Sequence, residues 1–571
     1  MDFCVVMFIA RVQSKGKNGK NYVSVLLRES KRIGDKVVSK TIAVLTEMPG
    51  WLITVVERAV KDGKGADSLQ QIAERPDSPL GMRQAESFGA LCLVHEIARS
   101  CSIVKALGST DEAKLALWQV LARVLSPATS LLGMVRLAGS CAATCLLGIR
   151  ESFTEDDLYA NGGWIAECQT RVEAKLWQLR PEKAGAEKSL FYYDVTSSYF
   201  EGQQNALAEF GYNRDKIKGK KQVVMGLLTD SDGEPMSVSL FPGNTNDLGT
   251  FATQVNSLKH IFKQESITLV GDRGMIRSPQ QKEVNAAGFN YISALHKAEI
   301  EPLLKSGEVQ LGFFDNVVHE TLLKDGRRLV TRCNPIRREE LAATHRGFKA
   351  KMDAWVKAAN TYLMEHPKAR ESTQLRQGTQ RLKRGRLDAC VSLQVSERRL
   401  TLVEDEEKLK EHAKLDGCYA IVSDLTTTKA DAQTLHDRYK DLSKVESDFR
   451  TLKHGHLEIR PWHVRSEDNT RAHAFTAMLA LKIRRRLQQA WEPLNMTVEE
   501  GLTELAKLCV IEIYDKTSGR SVSRHLPDPS TIQAQLLGAA GVTLPKNLPA
   551  AGPDVVTRVK LQDRRKTSKK P

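Results

Sequence analysis

Three carboxylates stand where a hard cation could use them. Asp194 closes the apolar run Leu190-Phe191-Tyr192-Tyr193, Asp272 closes Ile267-Thr268-Leu269-Val270-Gly271, and Glu446 lies in the helical pattern Gln433–Lys453. An acid at a strand end is often only a turn former, yet strand ends are also where α/β sheets present functional side chains. The helix adds to the case. Tyr439, Glu446 and Lys453 recur every seven residues, and because seven residues drift only about 20° around a helix they form one axial stripe. Leu435, Leu442, Val445, Phe449 and Leu452 fall on the adjoining sector, with Lys440, Asp441, Ser443, Lys444, Asp448 and Thr451 on the other side. Glu446 is thereby expected at the margin of the buried face, where a carboxylate is costly unless it meets a cation. Three carboxylates without a His or Cys partner call for Mg²⁺ or Mn²⁺. Two such ions about 3.5–4 Å apart would support an in-line phosphoryl displacement. Tyr439 and Lys453, two turns to either side of Glu446, would then be placed to touch the flanking phosphodiester backbone.

The elements that must position these residues are legible as pattern changes along 571 residues, enough for three or four domains. Composition is that of a globular protein, with 41% hydrophobic and 27% charged residues, which excludes disordered and collagen-like chains. The 84 Lys+Arg against 69 Asp+Glu give a net charge of +15, making a polyanion the first partner to consider. None of the ten cysteines forms a C-x-x-C pair, and their apolar settings read as reduced thiols of a cytoplasmic protein. The apolar start, Phe3-Cys4-Val5-Val6-Met7-Phe8-Ile9, lacks a basic flank and a cleavage site, so it reads as a strand and not a leader. No uncharged apolar run is long enough for a membrane span.

Residues 1–60 read as a β meander turning at Lys15-Gly16-Lys17-Asn18-Gly19-Lys20. Residues 61–185 read as a helical region suited to DNA binding or dimerisation, ending in the linker Pro181–Lys188. An α/β core follows in two parts, 186–300 and 416–492, split by an insertion at 301–415. That insertion is strand-like at 308–333 and basic and helical at 336–386, with Arg381-Leu382-Lys383-Arg384-Gly385-Arg386 as its densest charge run. Residues 493–571 form a C-terminal region whose tail, Arg558 to Lys570, is strongly basic.

These blocks, in this order, resemble the DDE transposases of bacterial insertion sequences, in the group marked by a Tyr-x2-Arg-x3-Glu-x6-Lys helix. Tyr192-Tyr193-Asp194-Val195-Thr196 matches the first block. Gly211-Tyr212-Asn213-Arg214-Asp215, Gly243-Asn244-Thr245-Asn246-Asp247 and Gly271-Asp272-Arg273-Gly274 match the second. Tyr439 to Lys453, with Ile459-Arg460-Pro461 and Arg471-Ala472-His473 downstream, matches the third. The resemblance implies a ribonuclease-H-like mixed sheet flanked by helices, with an inserted domain between the second Asp and the Glu, an N-terminal β-hairpin and a helical DNA-binding region. It implies that Asp194, Asp272 and Glu446 are the catalytic, metal-holding triad for two Mg²⁺ or Mn²⁺ ions. Tyr439 and Lys453 would contact DNA. Where the signature has Arg this chain has Leu442, and Arg273 and Arg450 are the cations available for that phosphate contact. The partners implied are the terminal inverted repeats of the element and its target DNA, bound by a homodimer, in the bacterial cytoplasm at the nucleoid and without a membrane. The reaction implied is metal-dependent cleavage and strand transfer, with no cofactor beyond the metal, and in relatives often through a DNA hairpin. Relatives can stabilise a flipped base with a Trp of the insert. Trp355 is the sole Trp between Asp272 and Glu446, and its helical setting reads as core packing.

Three other readings accompany this one. His454, His456, His463 and His473 invite zinc, although no Cys or acid completes a usual spacing. The same carboxylates could serve a nuclease that stops at hydrolysis. An inactive relative would keep DNA affinity alone.

Overall fold

The computed structural model describes residues 6–15, 21–33, 36–48, 50–62, 79–180, 189–202, 204–215, 217–262, 267–273, 275–385, 387–460, 462–546, 548, 552–553 and 555. The tip of the N-terminal hairpin (16–20), the Pro181–Lys188 linker, Gly274, Arg386, Pro461 and the basic tail lie outside these. The chain divides into two compact units, Met1–Gln169 with Phe475–Pro571, and Thr170–Ala474.

In the first unit, β1 (Val6–Lys15), β2 (Asn21–Ile33) and β3 (Lys36–Val44) form the expected antiparallel meander. A strand absent from the sequence reading, β4 (Leu80–Ser87), pairs with Cys509–Asp515, which pairs in turn with Ser521–His525. Between β4 and Leu147 the chain is helical as expected. Thr110 and Ser130 cap two of these helices by accepting the N–H of Ala113 and Gly133, and Phe88, Leu91, Trp118 and Leu121 are buried there. No described helix is long and apolar enough to cross a membrane.

The second unit is built on an eight-stranded mixed sheet. Its strands are β5 (Leu190–Tyr199), β6 (Gln222–Asp230), β7 (Pro235–Pro242), β8 (Thr268–Gly271), β9 (Asn290–Ala294), β10 (His319–Leu322), β11 (Arg328–Cys333) and, after the pair β12 (Val391–Ser396) and β13 (Arg399–Glu404), β14 (Cys418–Ser423). The order across the sheet is β10-β11-β14-β9-β8-β5-β6-β7. Only β5–β8 and β8–β9 are parallel pairs. Helices Asp247–His260 and Ser278–Ala286 supply the crossovers around β8, as parallel neighbours require. The β6–β7 turn is set by Asp230, whose Oδ1 accepts the N–H groups of Asp232 and Glu234, and by Gly233 at φ 76°. Burial explains the near-continuous apolar runs of β5, β6 and β8. Phe191, Leu228, Phe251, Leu258, Leu269 and Tyr291 join one core.

Two boundaries differ from the sequence reading. Strands β10 and β11, expected inside the insertion, belong to the main sheet, and β11 pairs with β14 from Arg328↔Ser423 to Cys333↔Cys418. The inserted part is therefore the stretch between β11 and β14, namely helices Pro335–Glu365 and Glu371–Gly385, the β12–β13 hairpin and helix Glu406–Ala413. The strand character of β11 was visible, but its partner lies a whole small domain later in the chain. The single helix expected at Gln433–Lys453 is two, Ala432–Lys440 and Ser443–Lys453. They meet in a tightened turn where Leu442 and Val445 donate to the carbonyls three residues back, Tyr439 and Leu442, at 3.3 and 3.0 Å.

Candidate active site

The parallel pairing of β5 with β8 ends at Tyr193↔Gly271, so Asp194 and Asp272 follow one residue later side by side. Asp272 stands just past the end of β8, whereas Asp194, expected at a strand end, lies midway along β5, which runs on to Tyr199 against β6. Each carboxylate is oriented by its own backbone. Asp194 Oδ1 accepts the N–H of Val195 at 2.8 Å, and Asp272 Oδ1 accepts the N–H of Arg273 at 2.7 Å. Asp272 Oδ1 also accepts the Tyr439 hydroxyl at 3.0 Å. Oδ2 of both acids stays outside these bonds.

The Ser443–Lys453 helix lies against β5 and carries Glu446 and Lys453, while Tyr439 belongs to the preceding helix Ala432–Lys440. Tyr439 reaches Asp272, and Glu446 is near enough to Asp194 for its charge to act there. Lys453 reaches Ser197, further along β5. Burial raises the Asp194 carboxyl to about 7, and the negative charges of Asp272 and Glu446 push the same way, against the Val195 N–H and Arg214. Burial, and next the Asp272 carboxylate, push the Tyr439 phenol above its ordinary value.

Several expectations are revised. Glu446 is exposed, not at the margin of the buried face, and Asp448, assigned to the solvent side, is buried. Val445, Phe449 and Leu452 are buried as expected, and the buried side of the helix extends to Asp448 and Lys453. Leu442, at the signature Arg position, is buried, whereas Arg273 and Arg450 are exposed and open to solvent-borne phosphate. Lys453 is 8% exposed. Its Nζ donates to the Ser197 carbonyl and to Asp215 Oδ1, the latter at 3.1 Å. Burial lowers its affinity for the proton, and Arg460 and Arg214 add to that, while Asp215 opposes it.

Asp215 is the functional neighbour the sequence reading passed over. It is buried and also accepts Arg460 Nη1 at 2.8 Å and the Tyr199 N–H at 3.2 Å. Arg214 beside it pairs with Asp247. The Asn-Arg-Asp run and the downstream Ile-Arg-Pro were visible as motifs, but nothing in either showed that they meet beneath Lys453.

The histidines do not assemble. His454 lies against Arg460 Nη2, and His473 packs its ring edge-on to Trp462 with 5.2 Å between centroids. Among the described residues no three His, Cys, Asp or Glu side chains already converge as a metal cage. The donor chemistry nonetheless suits a hard cation. Two carboxylates each have an oxygen to spare, a third lies within electrostatic reach, and burial holds the Asp194 carboxyl above its ordinary value, a cost that a divalent cation would offset.

The sequence profile of the transposase DDE domain family matches residues 185–483, just over half of the chain. The chain belongs to this family. The match begins before β5 and ends beyond the Glu446 helix, so the DDE domain includes Asp194, Asp272, the insert and the helix. No curated protein matches. Among solved structures, the piggyBac transposase synaptic complex with hairpin DNA is similar at 9% identity, with a TM-score of 0.34, over 69% of this chain and 70% of that one.

Proposed function

We propose that the chain is the transposase of an insertion sequence, which binds the terminal inverted repeats of its element as a homodimer and performs divalent-metal-dependent cleavage and strand transfer. The observation that carries this reading is the approach of three carboxylates, Asp194 within β5, Asp272 just past the adjacent parallel strand β8 and Glu446 on the helix against β5, inside a transposase DDE domain. The sheet order β7-β6-β5-β8-β9, antiparallel and then parallel, supports a ribonuclease-H-like core.

In this proposal Asp194, Asp272 and Glu446 would hold Mg²⁺ or Mn²⁺, and the metal would supply Lewis-acid activation of the attacking oxygen and charge stabilisation of the leaving one. Asp194 and Asp272 are pre-oriented by their own peptide N–H groups. Tyr439 fixes the Asp272 carboxylate and lines the approach to it. Arg273 and Arg450 take DNA phosphates, in place of the Arg that Leu442 replaces. Lys453 holds the far end of β5 through Ser197 and Asp215, and its role on DNA requires an exchange of Asp215 for a phosphate.

The test is incubation of the purified chain with a duplex carrying the element's end, a target plasmid and Mg²⁺. Joined 3′ ends are expected, and they should vanish in Asp194→Ala, Asp272→Ala and Glu446→Ala. Products that stop at hydrolysis would make it a nuclease, and full activity in the three variants would dissolve the triad.

A further inference from the structure

The insert leaves the sheet after Cys333, the last residue of β11, and returns at Cys418, the first of β14. These two cysteines are register partners across the antiparallel pair. They do not exchange backbone hydrogen bonds, since the Cys333 N–H goes to the Asp315 carbonyl and the Cys418 N–H to that of Leu415. In such non-hydrogen-bonded pairs the Cα atoms are about 4.5 Å apart and the side chains close, within the span a disulfide needs. Both thiols also point at one atom. The Asp416 carbonyl oxygen lies 3.9 Å from Cys333 Sγ and 3.7 Å from Cys418 Sγ. Both are free thiols, Cys333 buried and Cys418 partly exposed. The Arg338 guanidinium lies 3.6 Å from Cys418 Sγ and also holds the Asp416 carbonyl.

We propose that Cys333 and Cys418 form a reversible disulfide that staples the two stems of the inserted unit, making this pair a redox-modification site. Hydrogen peroxide is the oxidant by class. The partly exposed Cys418 thiolate, facing Arg338, attacks a peroxide oxygen. The O–O bond breaks, leaving a sulfenic acid on Cys418 and hydroxide, which takes up the proton that Cys418 released. Cys333 sulfur then attacks the sulfenic sulfur. The S–S bond forms, the S–O bond breaks, and the departing hydroxide takes the Cys333 proton as water. Two thiols and one peroxide thus give one disulfide and two waters. Buried Cys333, whose thiol burial pushes up, serves as the resolving partner and not as the first nucleophile. The two residues are linked to the sheet on one side and to the insert on the other, so the bond removes the freedom of the stems to part. The inference is independent of the reaction assigned to the acids.

The test uses the full chain, treated with hydrogen peroxide, blocked with N-ethylmaleimide under denaturing conditions and digested. A Cys333–Cys418 linked peptide, lighter by two hydrogens than its parts and released by dithiothreitol, is expected. The oxidised wild type should melt several degrees higher than the reduced form, and Cys418→Ser should show no such shift. Maleimide on both residues after oxidation, or a different dominant pairing, overturns the proposal. The peptide map of the wild type decides even where a serine variant fails to fold.

Discussion

The sheet that carries the acids and the insert that carries the basic run are held together by different means. Around β5 several charged groups have assigned partners. Asp215 takes Lys453 and Arg460, Asp247 takes Arg214, and Asp272 takes Tyr439. The insert buries only two small clusters. One is Met352, Leu382, Leu387, Cys390 and Val391, the other Val356, Leu363 and Leu400, and the half-buried Trp355 touches both. Ion pairs of its helices, such as Arg337 with Glu340 and Arg346 with Glu339, are on the surface, while the buried Asp416 beside β14 takes Lys297 and His345. Charge around β5 fixes geometry, whereas the charge on the insert helices faces solvent. Substitutions should therefore be expensive in the first region and cheap in the second.

The largest contrast is in activity. Asp194→Asn or Asp272→Asn should lower strand joining about a thousandfold, as expected when several kcal/mol of charge stabilisation are lost, with the far-UV circular dichroism unchanged. Residual joining within tenfold of wild type would remove these acids from the chemistry.

Next comes stability. Asp215→Ala leaves the buried Lys453 and the partly exposed Arg460 without their carboxylate and should cost about 3–5 kcal/mol in denaturant unfolding. Arg337→Ala, at an exposed pair of the insert, should leave the melting temperature where it was. Equal effects would erase the distinction between the regions.

A smaller effect follows from protonation. Asp194 is raised to about 7, so between the ordinary carboxylate value near 3.8 and that point the folded chain keeps a proton that the unfolded chain releases. Stability of the metal-free protein should fall as pH rises through this window. Asp194→Asn should flatten the slope, and Mg²⁺ should restore stability above it. Thermal melts across the window, with and without Mg²⁺, give the answer, and an unchanged slope in the Asn variant would contradict it.

The smallest change is expected from Lys383→Ala with Arg384→Ala, exposed basic residues of the insert. The slope of log affinity for DNA against log salt should shrink by about 2, with no change in stability.

The periodicity argument placed Tyr439, Glu446 and Lys453 on one stripe. Glu446 and Lys453 share the helix against β5, because helical spacing is a local property, whereas Tyr439 sits on the preceding helix and reaches Asp272. It erred at Asp448 because the buried side of that helix is wider than its apolar residues mark, taking in Asp448 and Lys453 beside Val445, Phe449 and Leu452. The end of β8 before Asp272 was legible from its apolar run, whereas the run before Asp194 stops in mid-strand, since β5 continues to Tyr199 through the buried polar residues Thr196, Ser197 and Ser198. Asp215 was not legible, since its partners Lys453 and Arg460 arrive from far along the chain. The same limit hid β4, which pairs with Cys509–Asp515, and the place of β11 beside β14. Trp355 packs against Gly378 and under Arg381, matching its reading as core.

The chain leaves β11 and re-enters at β14 across a single hydrogen bond, Asn334 N–H to the Gly417 carbonyl at 2.8 Å. In topological terms the entire insert is the loop of a β-hairpin that has been enlarged without rethreading the sheet. Loop-closure entropy grows only slowly with length, so such a loop can be lengthened, shortened or exchanged while the strands beside it keep their register. The inserted unit can thus change at a pace of its own, and the acids of β5 and β8 need not change with it.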